Sequence, residues 1–188
     1  TGGYPASCWK QINGAWYYFN NKGYIVTGWQ KLDGTWYYLN PSNGIMMTGW
    51  QAINGKWYYM NGSGVMQTGW LYQNHAWYYL LGNGAMYTGW LWDRDQWYFM
   101  YSDGSMATGM ITVGNADYYQ APSGETLYGW IWKGDAWCYA DADGVIQKNM
   151  WKWIDGECYY FDSEGWLLTN AIAENSYEVN ENGAWVLN

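Results

Sequence analysis

Residues 48–61 read TGWQAINGKWYYMN, and the chain repeats that phrase at 27–40 (TGWQKLDGTWYYLN), 68–81 (TGWLYQNHAWYYLL) and 88–101 (TGWLWDRDQWYFMY). Each copy holds two tryptophans seven positions apart, and successive copies begin about twenty residues apart. A repeat this short encodes one small supersecondary unit, which must stack on its neighbours to bury anything. The expected fold is therefore a solenoid. Because every copy can present the same site, repeated binding is a better expectation than a single catalytic centre.

The Gly-Trp step sets the frame. Units begin at Cys8-Trp9, Gly28-Trp29, Gly49-Trp50, Gly69-Trp70 and Gly89-Trp90. They continue at Gly109-Met110, Gly129-Trp130, Met150-Trp151 and, much altered, Asn170-Ala171. These nine units fill residues 1–188 as one repeat solenoid, with no linker or break in composition. The last, 169–188, is shortened and polar, as suits a cap that must face water.

Within a unit the pattern reads as a β-hairpin. Asn13-Gly14, Asp33-Gly34, Asn54-Gly55 and Asp155-Gly156 lie between short aromatic and aliphatic runs, and such pairs supply the two positive φ angles of a type I′ turn. A second series of glycines, from Gly23 and Gly44 to Gly165 and Gly183, marks the turn into the next hairpin. The fold class is all-β, a solenoid of stacked hairpins. A two-residue turn at Asn54-Gly55 would pair Ile53 with Lys56, Ala52 with Trp57, Gln51 with Tyr58 and Trp50 with Tyr59. Alternation then places Trp50, Trp57 and Tyr59 on one face and Gln51, Ile53, Tyr58 and Met60 on the other. Stacking brings the tryptophan pair of one unit to the first tyrosine of the next WYY, here Tyr78. Three rings from two hairpins make a box.

Composition fits such a design. The chain has 18 Trp, 21 Tyr and 25 Gly, and only 13% charged residues, about half the ~25% of an average protein. The net charge of −8 argues against nucleic acid, whose binders neutralise phosphate with Lys and Arg. No apolar run has the ~18 residues needed to span a membrane. The first residue is Thr1 rather than Met, with no signal-peptide pattern, which reads as a processed protein or an excised fragment. Cys8, Cys138 and Cys158 follow no metal-ligand spacing and read as packed free thiols; no metal or other cofactor is expected.

Three ring faces around a small gap attract a cation through their quadrupoles and desolvate methyl groups, so quaternary ammonium is the natural guest. Each cation–π contact contributes about 0.5–2 kcal/mol, so affinity per box is modest and repetition supplies avidity. At this point the sequence TGWQKLDGTWYYLNPSNGIM (27–46), repeated with GW, WYY, NG and GxM in register, resembles the choline-binding repeats of Gram-positive surface proteins and cell-wall lysins. The resemblance implies a left-handed superhelix of hairpins with choline between consecutive units. It also implies a floor methionine in many boxes and phosphocholine of teichoic or lipoteichoic acid as the target. An extracellular place, at the bacterial surface or secreted, follows from the same resemblance.

Carried to this chain, the resemblance implies six complete boxes. Trp9 and Trp16 meet Tyr37, Trp29 and Trp36 meet Tyr58, and Trp50 and Trp57 meet Tyr78. Trp70 and Trp77 meet Tyr98, Trp90 and Trp97 meet Tyr118, and Trp130 and Trp137 meet Tyr159. Candidate floors are Met46, Met66, Met86 and Met106, each two residues after a turn glycine. The sixth junction offers Met110, Asp117 and Cys138, and the eighth Trp151, Cys158 and Tyr177. Both are expected to bind no choline.

No catalytic set emerges. His75 stands where a hairpin turn wants glycine, and Asp93, Arg94 and Asp95 form another turn, so a solvated tip explains both. One histidine in a loop assembles neither a Ser-His-Asp nor a Cys-His arrangement. The leading function is a noncatalytic wall-binding module. A glucan-binding repeat and an adhesin stalk with vestigial sites are the alternatives.

Overall fold

The computed structural model describes residues 6–186; the sequence's opening at Thr1 and the final two residues of the cap lie outside them. The described residues form eighteen strands, paired as nine two-stranded antiparallel sheets, with one 3-10 turn at Glu174–Ser176. None of their helices is long and apolar enough to cross a membrane.

The hairpins divide between two compact units. The first comprises residues up to Thr88 together with Ser102–Ser105. It holds β1 (Cys8–Ile12) with β2 (Ala15–Phe19), β3 (Gly28–Leu32) with β4 (Thr35–Leu39), β5 (Gly49–Ile53) with β6 (Lys56–Met60), and β7 (Gly69–Gln73) with β8 (Ala76–Leu80). The second comprises Gly89–Tyr101 and residues from Met106 onward. Its hairpins are β9 (Gly89–Asp93) with β10 (Gln96–Met100), β11 (Gly109–Val113) with β12 (Ala116–Gln120), and β13 (Gly129–Trp132) with β14 (Trp137–Ala140). They end with β15 (Met150–Ile154) and β16 (Glu157–Phe161), then the short cap pair β17 (Ala171–Ile172) and β18 (Glu178–Val179).

The register is the one the turn sequence dictates: Trp50 opposite Tyr59, Gln51 opposite Tyr58, Ala52 opposite Trp57 and Ile53 opposite Lys56. Asn54 and Gly55 both take positive φ, 50° and 76°, as a type I′ turn requires. The Asn74-His75 and Arg94-Asp95 tips adopt the same backbone without glycine, with φ of 64° at His75 and 61° at Asp95.

Each hairpin contributes little interior of its own. The last residue of its second strand is sealed from solvent: Leu39, Met60 and Leu80 in the first unit, Met100, Gln120, Ala140 and Phe161 in the second. The chain then turns at an Asx motif, as where Asn61 Oδ1 accepts from the amides of Ser63 and Val65. It comes back as a single bridging residue. Met66 pairs with Met60 of its own hairpin, while its N–H donates to the carbonyl of Trp36 in the hairpin before, at 2.9 Å. Met46 does the same to Trp16, Met86 to Trp57, Ile146 to Asp117 and Leu167 to Trp137. These bonds fix the offset of one hairpin on the next.

The bridging side chain also explains the second glycine series. Gly64 has φ +79° and packs against the thioether of Met46, so any Cβ there would collide with the sulfur. Gly84 meets Met66 and Gly104 meets Met86 in the same way.

Candidate functional site

Alternation along the strands places both tryptophans of a unit on one face, and the bridging bonds slide the next hairpin over that face. The first tryptophan therefore meets the first tyrosine of the following WYY. Trp9–Tyr37, Trp29–Tyr58 and Trp50–Tyr78 have centroids 4.9 Å apart in the first unit. In the second unit Trp90–Tyr118 lie at 4.7 Å and Trp130–Tyr159 at 4.9 Å. All five pairs are edge-to-face.

The second tryptophan stands nearly perpendicular to the first. Trp29–Trp36 are 6.1 Å apart at 90°, Trp90–Trp97 6.3 Å at 86° and Trp130–Trp137 6.4 Å at 87°. Trp70 and Trp77 repeat this at 6.3 Å in the first unit, whereas Tyr98, their expected partner, belongs to the second. Exposure separates these rings from the core. The second tryptophans Trp16, Trp36, Trp57, Trp77, Trp97 and Trp137 are 38–47% exposed, while Leu39 and Met60 are at 0%. Six indoles left that open, at one repeated position, are not what packing alone would select.

Three junctions enclose clefts of about 320–370 Å³. The first is lined by Trp9, Trp16, Tyr37 and Met46, with Gly62 and Ser63 at its edge. Another is lined by Trp90, Trp97 and Tyr118 with Thr126, Tyr128, Ala142 and Asp143. The third has Trp130, Trp137, Tyr159, Leu167 and Asn182. Each cleft draws residues from three consecutive repeats.

The methionines prove to be one case of a wider position. Met46 lines the first cleft, and the bridging bonds of Met66 and Met86 assign them to the two junctions after it. Met106 packs against Gly124 in the second unit. Thr126 and Leu167 line the later clefts at the equivalent place and were not expected. The signal for them was the spacing, two residues after Gly124 and Gly165, rather than the residue type.

Electrostatics favour a cationic guest. Asp143 stands at the rim of one cleft, and the Tyr159 hydroxyl donates to Glu157 Oε2 at 2.8 Å in another. Burial first, and then that bonded carboxylate, raise the Tyr159 pKa above the ordinary tyrosine value. Lys31 already holds its ammonium 5.9 Å from the Trp36 ring centre.

The two deviant junctions differ from each other. At the sixth, Asp117 occupies the place of the second tryptophan and is paired with Lys148, while Thr112 Oγ1 donates to it at 2.6 Å. These partners, Lys148 foremost, hold the Asp117 carboxyl below its ordinary pKa. Cys138 is buried with Ile131, Ala140 and Ile146, and burial raises its thiol pKa. No ring of a box stands at these three positions. At the eighth, Trp151 and Tyr177 lie 6.0 Å apart with Cys158 buried beside them, and a ring absent from the expected set, Trp185, joins them.

The sequence matches family models described as a choline-binding repeat over 6–48, 47–89 and 145–185, and as a putative cell wall binding repeat over 88–106. A comparison with curated proteins gave no match. Among solved structures the fold is similar to CbpJ from Streptococcus pneumoniae TIGR4, with a TM-score of 0.85 and 37% identity over 92% of this chain and 62% of that one. It is similar to choline binding protein F from Streptococcus pneumoniae, solved in the presence of a peptidoglycan analogue, with a TM-score of 0.81 and 36% identity over 92% and 61%. It also matches the choline-binding domain of CbpL from Streptococcus pneumoniae, with a TM-score of 0.70 and 31% identity over 97% and 98%. This chain thus spans about three fifths of the first two relatives and nearly all of the CbpL domain.

Proposed function

The chain belongs to the choline-binding repeat family, and from that premise we propose that it anchors a protein to the bacterial wall by binding choline in the aromatic boxes between its hairpins. The target is phosphocholine carried on teichoic or lipoteichoic acid, and the place of action is extracellular. One observation carries this reading: five junctions repeat a Trp–Tyr contact of 4.7–4.9 Å beside a second, half-exposed tryptophan. A trimethylammonium group needs that arrangement, since it donates no hydrogen bond and gains from ring faces and lost water. Trp70 and Trp77 repeat the tryptophan pair of the other junctions. Met46, Met66, Met86 and Met106, with Thr126 and Leu167, take the floor positions.

The mechanism is binding without chemistry. Ring quadrupoles hold the cation, the floor side chain excludes water beneath it, and the open side lets the attached phosphate remain solvated. Each box is weak, and a polymer bearing many cholines converts weak sites into firm attachment by effective concentration.

A titration tests the reading. Choline at ten times the site Kd should stabilise the fold by about 1.4 kcal/mol per occupied site and perturb tryptophan fluorescence. Dextran should do neither. A response to dextran with none to choline would replace this function with glucan binding.

A further inference from the structure

The last junction has lost its second tryptophan to Cys158, and on sequence alone it keeps only Trp151 and Tyr177. The structure supplies a third ring from below. Trp185 stands two residues after Gly183, bridges to Val179, and donates its N–H to the carbonyl of Cys158 at 2.8 Å. Met46 makes the same bond to Trp16 and Leu167 to Trp137, and in both cases that residue lines the cleft. Trp185 therefore occupies the floor of the eighth junction. The earlier floors are Met46, Met66, Met86, Met106, Thr126, Ile146 and Leu167, none of them aromatic. An indole comes from the floor only where one has gone from the wall.

Trp151 and Trp185 match the regular tryptophan pairs in separation, whereas Trp151 and Tyr177 stand wider apart than the regular Trp–Tyr contact of 4.7–4.9 Å. Trp151–Tyr177 lie at 6.0 Å and 84°, Trp151–Trp185 at 6.4 Å and 61°, and Tyr177–Trp185 at 5.4 Å and 75°. They are not the core of the cap, which is built from Ala173, Val179 and Ala184. Tyr177 is 46% exposed, and both tryptophans are only partly buried. Charge points the same way. After Lys152 the chain has no Lys, Arg or His and seven carboxylates, a field that draws cations and gives a neutral sugar no advantage.

We infer that Trp151, Tyr177 and Trp185 form a further quaternary-ammonium site at the C-terminal junction, walled differently from the others. This rests on the choline reading of the regular boxes and reverses the sequence expectation of a silent eighth junction.

Nuclear Overhauser contacts from the N-methyl protons of choline test it on the intact chain. They should reach the rings of Trp185 and Tyr177 at choline concentrations that also give them at Trp130 and Trp137. Trp185→Leu, which copies the Leu167 floor, should abolish the contacts to Tyr177 and lower bound choline by one per chain. Its unliganded melting temperature should stay near the parent's. If that variant loosens the cap, Tyr177→Ser at the exposed ring should remove the same single site. Contacts at Trp130 and Trp137 with none at Trp185 would overturn the inference alone. Contacts nowhere would overturn it together with the choline reading.

Discussion

Gln120 occupies the one polar position in a ladder otherwise made of Phe19, Leu39, Met60, Leu80, Met100, Ala140 and Phe161. Its Oε1 accepts from Thr126 Oγ1, but its Nε2 is buried with no partner among the described residues. An unsatisfied buried donor costs about 1–3 kcal/mol. Thr126 Oγ1 keeps a second acceptor, the Trp97 carbonyl at 3.1 Å, so it is not stranded by removal of the glutamine. Gln120→Met should therefore raise stability by about 1 kcal/mol, read as a higher urea midpoint at unchanged slope. A second residue-scale test lies at a hairpin tip. His75 holds φ at 64°, where an L side chain costs about 1–2 kcal/mol. His75→Gly relieves that strain and gives part of it back as unfolded-chain entropy. The expected net gain is about 0.5 kcal/mol in the same denaturation experiment.

Among elements, the junction rather than the hairpin is the unit that varies. At the sixth junction the tryptophan position carries Asp117, and Lys148 reaches it from 31 residues along the chain. The pair places an internal ammonium beside the position where other junctions present a ring. The Asp117 pKa is lowered in the folded state, so its contribution is complete above the ordinary carboxylate pKa of 3.8 and is lost as pH falls through the lower folded value. Asp117→Asn should cost about 1 kcal/mol near neutrality, and the gap from the parent should close as pH falls through that lowered value, followed by thermal melts across pH. Trp137→Ala tests the proposed binding at a junction with a complete aromatic set. Loss of its ring should weaken choline there by the ~0.5–2 kcal/mol of one cation–π contact and leave the sixth junction unchanged.

Much of this was legible in the sequence because the turns are explicit. Asn54-Gly55 admits one register, that register sorts Trp50 and Trp57 onto one face, and the repeat length then selects Tyr78. The Asp117–Lys148 pair was not legible, since it depends on how the bridging segment returns across the preceding hairpin. Trp185 was missed for a related reason. The floor was read as methionine, whereas the backbone bond that creates the position accepts any side chain.

For the molecule as a whole, the net charge of −8 sets the terms of attachment. A basic protein on a phosphate polymer loses affinity steeply with salt because it releases counterions. This acidic chain has no such term, and under the proposed function its boxes grip the cationic end of each substituent. Binding to a phosphocholine-bearing polymer should hold or strengthen as salt rises from about 20 to 200 mM, whereas free choline should elute it at either salt. Retention that collapses with salt would point to phosphate contacts instead.

Because each cleft is assembled from three successive repeats, a repeat that keeps its full aromatic set can stand in for another. Excising 48–67 would set the Trp29 and Trp36 pair against Tyr78 in a working cleft, with one site fewer and no scar. Length is thus a setting of grip: adding or removing one complete repeat changes the number of boxes by one.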